Sequence, residues 1–313
     1  MRRFLRDVGL LALPIVVLAI VLEWGAEAIP NSYTYKRDYV ERHGGEVKTL
    51  ILGSSNAYDG INPTVLSGAF NLANSSQTLE DDYRLLERYI DDMDSLQTVI
   101  VGLGYHSLGA MTEDNRRTYY TIYMGLYPRW PISKYSFEVF NLELLTKKII
   151  KYAASRDVTR CDSLGQRVGH TAEAVKERKE FWNKDVAALV ANDYFDVQQS
   201  KELVERNAEY LKAIIELCEA HQVQPVIVTM PVMKAYKEAL PKEQVALHDS
   251  VMRSLPSSAQ YIDASEWAIP DDGWYNATHL TKEESGEFTE RVIGQWVVAD
   301  GIEKDVFAQI DDR

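Results

Sequence analysis

The chain predicts a doubly wound α/β domain on a parallel five-stranded sheet, preceded by a membrane segment and interrupted by a helical insert. Three features of the sequence carry this reading: short, continuously apolar runs that end in glycine or polar turns, amphipathic helical segments between them, and an apolar N-terminal stretch behind a cluster of arginines. Strands covered on both faces read as unbroken apolar runs, and helices between parallel strands supply that cover.

Arg2, Arg3 and Arg6 precede an uncharged run from Val8 to Leu22, closed by Glu23 and Trp24. A spanning helix wants about 20 apolar residues, and tryptophan suits the membrane interface. Residues 1–30 therefore read as a signal anchor, although Ala26-Glu27-Ala28 also fits a small-x-small cleavage site. With the arginines held in the cytoplasm, everything beyond Pro30 lies outside the cytoplasmic membrane.

In the remainder, residues 31–313, Val47 to Leu52 forms the first strand, closed by Gly53-Ser54-Ser55. Ala69 to Ala73 is a second, and Thr78-x-x-Asp81 caps a helix whose face is Leu79, Tyr83, Leu86, Ile90 and Met93. A third strand, Thr98 to Leu103, ends at Gly104 as the first ends at Gly53. A long helix around Lys201 to His221 leads into the fourth strand in "QPVIVTMPV". A helix near Gln244 to Arg253 leads into the fifth in "AQYIDAS". Between 107 and 200 the rhythm is lost. That segment reads as an inserted helical cap with helices near Leu142 to Tyr152 and Thr171 to Val190, and with Tyr119, Tyr120, Tyr123, Tyr127 and Trp130 as its core or as a sugar-stacking platform.

The formal charge of −13 would repel a phosphate backbone, and no basic stripe interleaved with aromatics opposes it, so nucleic acid is excluded as a partner. Cys161 and Cys218 make no disulfide framework, and Cys218 falls on the apolar face of the long helix. His43, His170, His221 and His248 show no metal-ligand spacing and read as surface or satisfied histidines. Without a P-loop or a strand-linked glycine fingerprint, neither a metal nor a nucleotide cofactor is expected.

Ligands of such sheets bind at the carboxyl ends of the strands. Ser55 stands at one of those ends, at a turn where glycine permits unusual dihedrals and the next helix points its N–H groups outward. A Gly-Ser-Ser turn also serves simply as a helix cap. His279 lies in the loop before the last helix, which the Thr281-x-x-Glu284 capping box opens and whose buried face is Phe288, Val292 and Trp296. A serine at the first strand end and a histidine in the closing loop are the parts of a nucleophile and its general base. "CDSLG" around Ser163 lacks a preceding strand and reads as a loop. Asn74-Ser-Ser76 and Asn276-Ala-Thr278 are formal glycosylation sequons inside predicted site loops.

Four blocks in order, Gly53-Ser54-Ser55, Asn71-Leu72-Ala73, Gly104-Tyr105-His106 and Asn276-Ala277-Thr278-His279, resemble the signature of the SGNH/GDSL hydrolases. Together with the N-terminal anchor, "TMPVMKAY" and "WYNATHLTKEESGEFT" are most similar to membrane-anchored proteins of the D-alanyl-transfer type. The resemblance implies acyl transfer or ester hydrolysis on an O-acylated envelope glycan through an acyl-Ser55 intermediate, beside a membrane-bound O-acyltransferase. It implies Ser55, His279 and Asn276 as catalytic residues, with Ser55, Ala73 and His106 around the oxyanion. Ala73 replaces the family's glycine, His106 its asparagine and Asn276 its aspartate. Asp271 or Asp272 could replace that acid. Alternatively, a degenerate site would leave a protein that binds an envelope polysaccharide or scaffolds a membrane partner.

Overall fold

The structure, a computed structural model, describes residues 1–156, 158–176, 191 and 201–296. Its frame is five parallel strands, β1 (Thr49–Gly53), β2 (Ala69–Asn71), β3 (Thr98–Leu103), β4 (Gln224–Thr229) and β5 (Gln260–Asp263), in the order β2-β1-β3-β4-β5. The order reverses at β1, whose neighbours are β2 on one side and β3 on the other. In a doubly wound sheet this reversal opens a crevice at the strand carboxyl ends. Every residue of β1 and β3 is buried, which is why both read as unbroken apolar runs.

The helices pack on both faces, and each face has its own apolar cluster. One unites Leu50, Leu52, Val99 and Val101 with α4 (Leu79–Tyr89) and α8 (Lys201–Ala220), and the other joins Ile51, Ile100 and Val228 to Phe288 and Ile293. Cys218 is buried on α8, as its helical register predicts. The helix opened by Thr78 has the predicted capping box, Thr78 Oγ1 accepting from Asp81 N–H while the Asp81 carboxylate accepts from Thr78 N–H. Tyr83 is only half-buried, and Leu85 and Tyr89 complete the covered face.

In the insert, α5 (Asp114–Ile122), α6 (Leu142–Ser155) and the short α7 (Ala172–Lys176) are described, and the rest of the helix expected up to Val190 lies outside the described residues. Tyr120 and Tyr123 are buried in the same cluster as Leu52 and Val101, with Tyr119 and Tyr127 packed against it, so these four rings are core. Trp130 is exposed instead. Ser163 lies exposed in a turn, with no strand before it. The next residue, Leu164, accepts the N–H of Asn71 and so covers the free edge of β2.

At the N-terminus, α1 (Arg2–Glu27) contains a 22-residue stretch from Arg6 that is long and apolar enough to cross a membrane. It continues beyond the uncharged run that ends at Leu22, and Glu23, Ala26 and Glu27 have partners in the insert. Glu23 accepts from the N–H groups of Glu138 and Val139 at 3.0 Å each, Ala26 O from Lys148 Nζ at 2.6 Å, and Glu27 from Arg129 at 2.9 Å.

The turn after β1 is fixed from beneath by a buried carboxyl that the apolar pattern does not reveal. Asp82, on α4, accepts from Gly53 N–H at 2.9 Å and from Gln77 Nε2 at 2.6 Å. Gly53 adopts φ +125°, and a Cβ there would lie 2.4 Å from Gly102 O, so glycine is required. Burial pushes the Asp82 carboxyl up to about 7. Because the folded value lies above the unfolded one, the folded state holds the extra proton between about pH 4 and 7, and stability falls as pH rises through that window. Asp82→Asn keeps the Oδ1 acceptor without the charge. Denaturant unfolding should find it more stable than wild type at pH 8 by on the order of 2–4 kcal/mol, the gap closing towards pH 4. Equal destabilisation at both pH values would count against a buried protonated carboxyl.

Candidate active site

Ser55 opens α3 (Ser55–Gly60), which begins two residues after the end of β1 and has no side-chain cap on its first turn. His279 opens β7 (His279–Leu280), which pairs antiparallel with β6 (Trp274–Asn276) just before α11 (Lys282–Phe288). The two loops are tied together by Asn56, which donates through Nδ2 to Thr278 O at 2.7 Å and accepts from Ser54 Oγ at 3.2 Å. Ser55 Oγ and His279 Nε2 lie 2.8 Å apart.

The tautomer follows from Asn276. Its Oδ1 accepts the N–H of Thr278 at 3.0 Å, and a backbone N–H can only donate, so the amide oxygen must face that way. The same oxygen is 2.7 Å from His279 Nδ1, which must therefore carry the proton. Nε2 is left with its lone pair towards the Ser55 hydroxyl, the arrangement a general base needs.

A carboxylate also stands in the site, and it is neither Asp271 nor Asp272, both of which are exposed in the turn before β6. It is Asp59, one helical turn beyond Ser55 on α3. Asp59 Oδ2 is 3.6 Å from His279 Nε2, while Oδ1 is 2.9 Å from Arg167 Nε and 3.2 Å from His170 Nδ1. The returning segment of the insert supplies these partners. Arg167 N–H donates to Tyr58 O, and Gln166 Nε2 to Asp59 O and Ser285 Oγ, so residues 160–170 run along α3. His170, expected as a surface or satisfied histidine, stacks on Tyr275 at 3.6 Å and meets the His279 ring edge-on at 6.3 Å. The i, i+4 spacing from Ser55 to Asp59 was the one local signal for this group. Arg167 and His170 carried none, being far from both loops in the chain.

Burial pushes His279 down to about 4, against the upward pull of Asp59 and together with the cationic side chain of Arg167. The imidazole is therefore neutral at neutral pH, as a base must be before it accepts a proton. His106 is also pushed down to about 4 by burial. Its ring lies against Gly104, where a Cβ would meet it at 2.7 Å, and faces the Asn56 side-chain oxygen across that glycine.

Asn71 is fully buried and holds α3 from below, donating to Ala57 O at 3.1 Å and Ile61 O at 3.0 Å. Its Oδ1 accepts the Ala73 N–H at 3.1 Å, and Ala73 O accepts from the buried Lys36 ammonium. Burial lowers Lys36 to about 7. The block around Ala73 is thus braced on both sides of its peptide.

No family model matches the chain, and no curated protein matches it. Among solved structures it is similar to a GDSL-like lipase from Bacteroides thetaiotaomicron VPI-5482, with 10% identity, a TM-score of 0.40, and coverage of 85% of this chain and 98% of that one. Among the described residues no cluster of His, Cys, Asp and Glu has the form of a metal site.

The two groups flanking His279 give opposed expectations for the pH dependence of any reaction it serves. The acid limb of kcat/KM should fall near pH 4, not near the ordinary histidine value. Asn276→Asp places a carboxylate on the protonated Nδ1, which should raise kcat and move the limb upward. Asp59→Asn removes the Nε2-side charge, and should lower kcat by about 10–100-fold and move the limb further down. Unchanged limbs in both variants would contradict His279 as the titrating base.

Proposed function

We propose that the chain is a serine-dependent acyl-transfer enzyme acting on O-acylated glycans of the cell envelope, with an acyl-Ser55 intermediate. The observation that carries this reading is the 2.8 Å Ser55–His279 hydrogen bond, completed at Nδ1 by Asn276. In the reaction, Ser55 Oγ bonds to the ester carbonyl carbon as its proton passes to His279 Nε2. The tetrahedral intermediate collapses, the ester C–O bond breaks, and the proton moves from Nε2 to the leaving oxygen. An incoming hydroxyl then gives its proton to Nε2 and attacks the acyl carbon, and the second tetrahedral intermediate collapses as the acyl C–Oγ bond breaks and Nε2 returns that proton to Ser55 Oγ. Water as acceptor makes the protein an esterase, and a sugar hydroxyl makes it an O-acyltransferase.

Developing negative charge on the carbonyl oxygen is met by the Ser55 N–H at the uncapped first turn of α3. The Ala73 N–H joins it by exchanging Asn71 Oδ1 for the oxyanion, and a ring nitrogen of His106 completes the set of donors. The imidazolium formed in each half-reaction lacks the carboxylate that usually faces Nδ1. Asp59 supplies charge on the Nε2 side instead, at 3.6 Å, too long for a direct hydrogen bond and close enough for Coulombic stabilisation. The four signature blocks in order and the N-terminal apolar helix support a membrane-anchored place outside the cytoplasmic membrane, beside a membrane-bound O-acyltransferase that would supply or receive the acyl group.

Hydrolysis of a small activated acetate ester by the full chain in detergent tests the reading. Ser55→Ala and His279→Ala should each reduce kcat/KM by at least about 10³-fold with folding intact. Turnover that survives both substitutions would place the chemistry elsewhere, and an inactive wild type would favour a glycan-binding or scaffolding role.

A further inference from the structure

The insert grips the end of α1, and the residues that follow each gripping residue are apolar and exposed. Arg129 pairs with Glu27, and Trp130 after it is 75% exposed, with Ile132 beyond it also exposed. The N–H groups of Glu138 and Val139 are bound by Glu23, and the exposed Phe140 and Leu142 come next. Lys148 Nζ reaches Ala26 O, and Ile149 and Ile150 follow, Ile150 being 62% exposed. On α6, Leu142, Ile149 and Ile150 stand at i, i+7 and i+8, which is one stripe of the helix, and the buried Leu145 and Lys148 run along one margin of that stripe. Trp24, near the end of α1 itself, is 73% exposed.

The attachment is rigid. Lys148 and Glu138 form a buried ion pair at 3.0 Å, and Lys148 and Tyr123 both reach the Ala26 carbonyl. Cleavage after Ala28 would strip these groups of their partners and leave a buried ion pair with an unfilled acceptor position. The segment is also charged unlike the rest of the chain. Residues 129–156 hold six Lys/Arg against two Asp/Glu, a net +4 in a protein of net −13.

We propose that this collar, formed by Trp130, Ile132, Phe140, Leu142 and Ile150 around the end of α1, is a lipid-facing surface that sits in the headgroup region of an anionic bilayer. Tryptophan and phenylalanine favour that depth, and basic side chains beside them favour anionic headgroups. Continuity with an apolar helix long enough to span the bilayer selects lipid as the occupant. The domain then stands in one fixed orientation on the membrane rather than swinging on a tether. The proposal rests on α1 being a retained anchor.

The test uses the full chain in vesicles of phosphatidylethanolamine and phosphatidylglycerol, in a Cys161→Ser background. Nitroxide labels are placed through Leu18→Cys on the anchor, Phe140→Cys, Leu142→Cys and Ile150→Cys on the collar, and Glu209→Cys on the exposed side of α8. Accessibility to oxygen and to a water-soluble nickel chelate is read at each. The expected result is oxygen-rich, nickel-poor spectra at 18 and at the collar positions, and the reverse at 209. Collar labels that match 209 while 18 remains in lipid would overturn the collar and leave the anchor intact. Collar labels shielded from both reagents would mean that protein covers the surface, which also overturns the proposal. A nickel-accessible label at 18 would remove the anchor and the collar with it.

Discussion

The short hydrogen bond between Ser55 and His279 joins residues 224 apart in the chain, and much of the fold serves to close that distance. The reversal of strand order at β1 opens the crevice, and a strained glycine at its end turns the chain sharply into α3. Asn71 holds that helix by its last carbonyls, and Asn56 ties its first turn to the histidine loop. Both are amides, which satisfy buried backbone groups without adding charge beside a histidine that burial keeps neutral.

The electrostatics of the site depart from the usual serine triad. The group at Nδ1 is an amide oxygen, which fixes the tautomer and orientation but leaves a new positive charge less stabilised than a carboxylate would. The only carboxylate near His279 among the described residues approaches the other nitrogen, and it is shared with Arg167 and His170. This divides positioning from charge stabilisation between two residues. It also makes the insert part of the site, since two of the three groups around Asp59, Arg167 and His170, come from its returning segment, and the third is His279.

What the sequence made legible was what depends on local periodicity. Unbroken apolar runs located all five strands to within a few residues, the Thr78 and Thr281 caps marked two helix starts, and strand ends pointed to Ser55. The Asn276–His279 pairing was implied by the resemblance, and it is local, with only two residues between its members. What stayed hidden depends on contacts between distant segments. Asp82 and Asp59 sit on helices where acidic residues ordinarily face water; nothing local marked Asp82 as buried, and the i, i+4 spacing from Ser55 was the only local sign of Asp59. His170 and Arg167 acquire their partners only when the insert folds back along α3. The partners of the end of α1 stayed hidden for the same reason: Glu23 and Glu27 look like a polar boundary until Arg129 and the Glu138 turn are brought against them.

The central claim is that Ser55 is an activated nucleophile, and covalent labelling tests it most directly. After incubation of the full chain with an organofluorophosphonate, peptide mass mapping should find the phosphonyl adduct on Ser55, formed faster at pH 7 than at pH 4 and absent after His279→Ala. No adduct at Ser55 under conditions that label serine hydrolases, or labelling at the same rate without His279, would contradict the account.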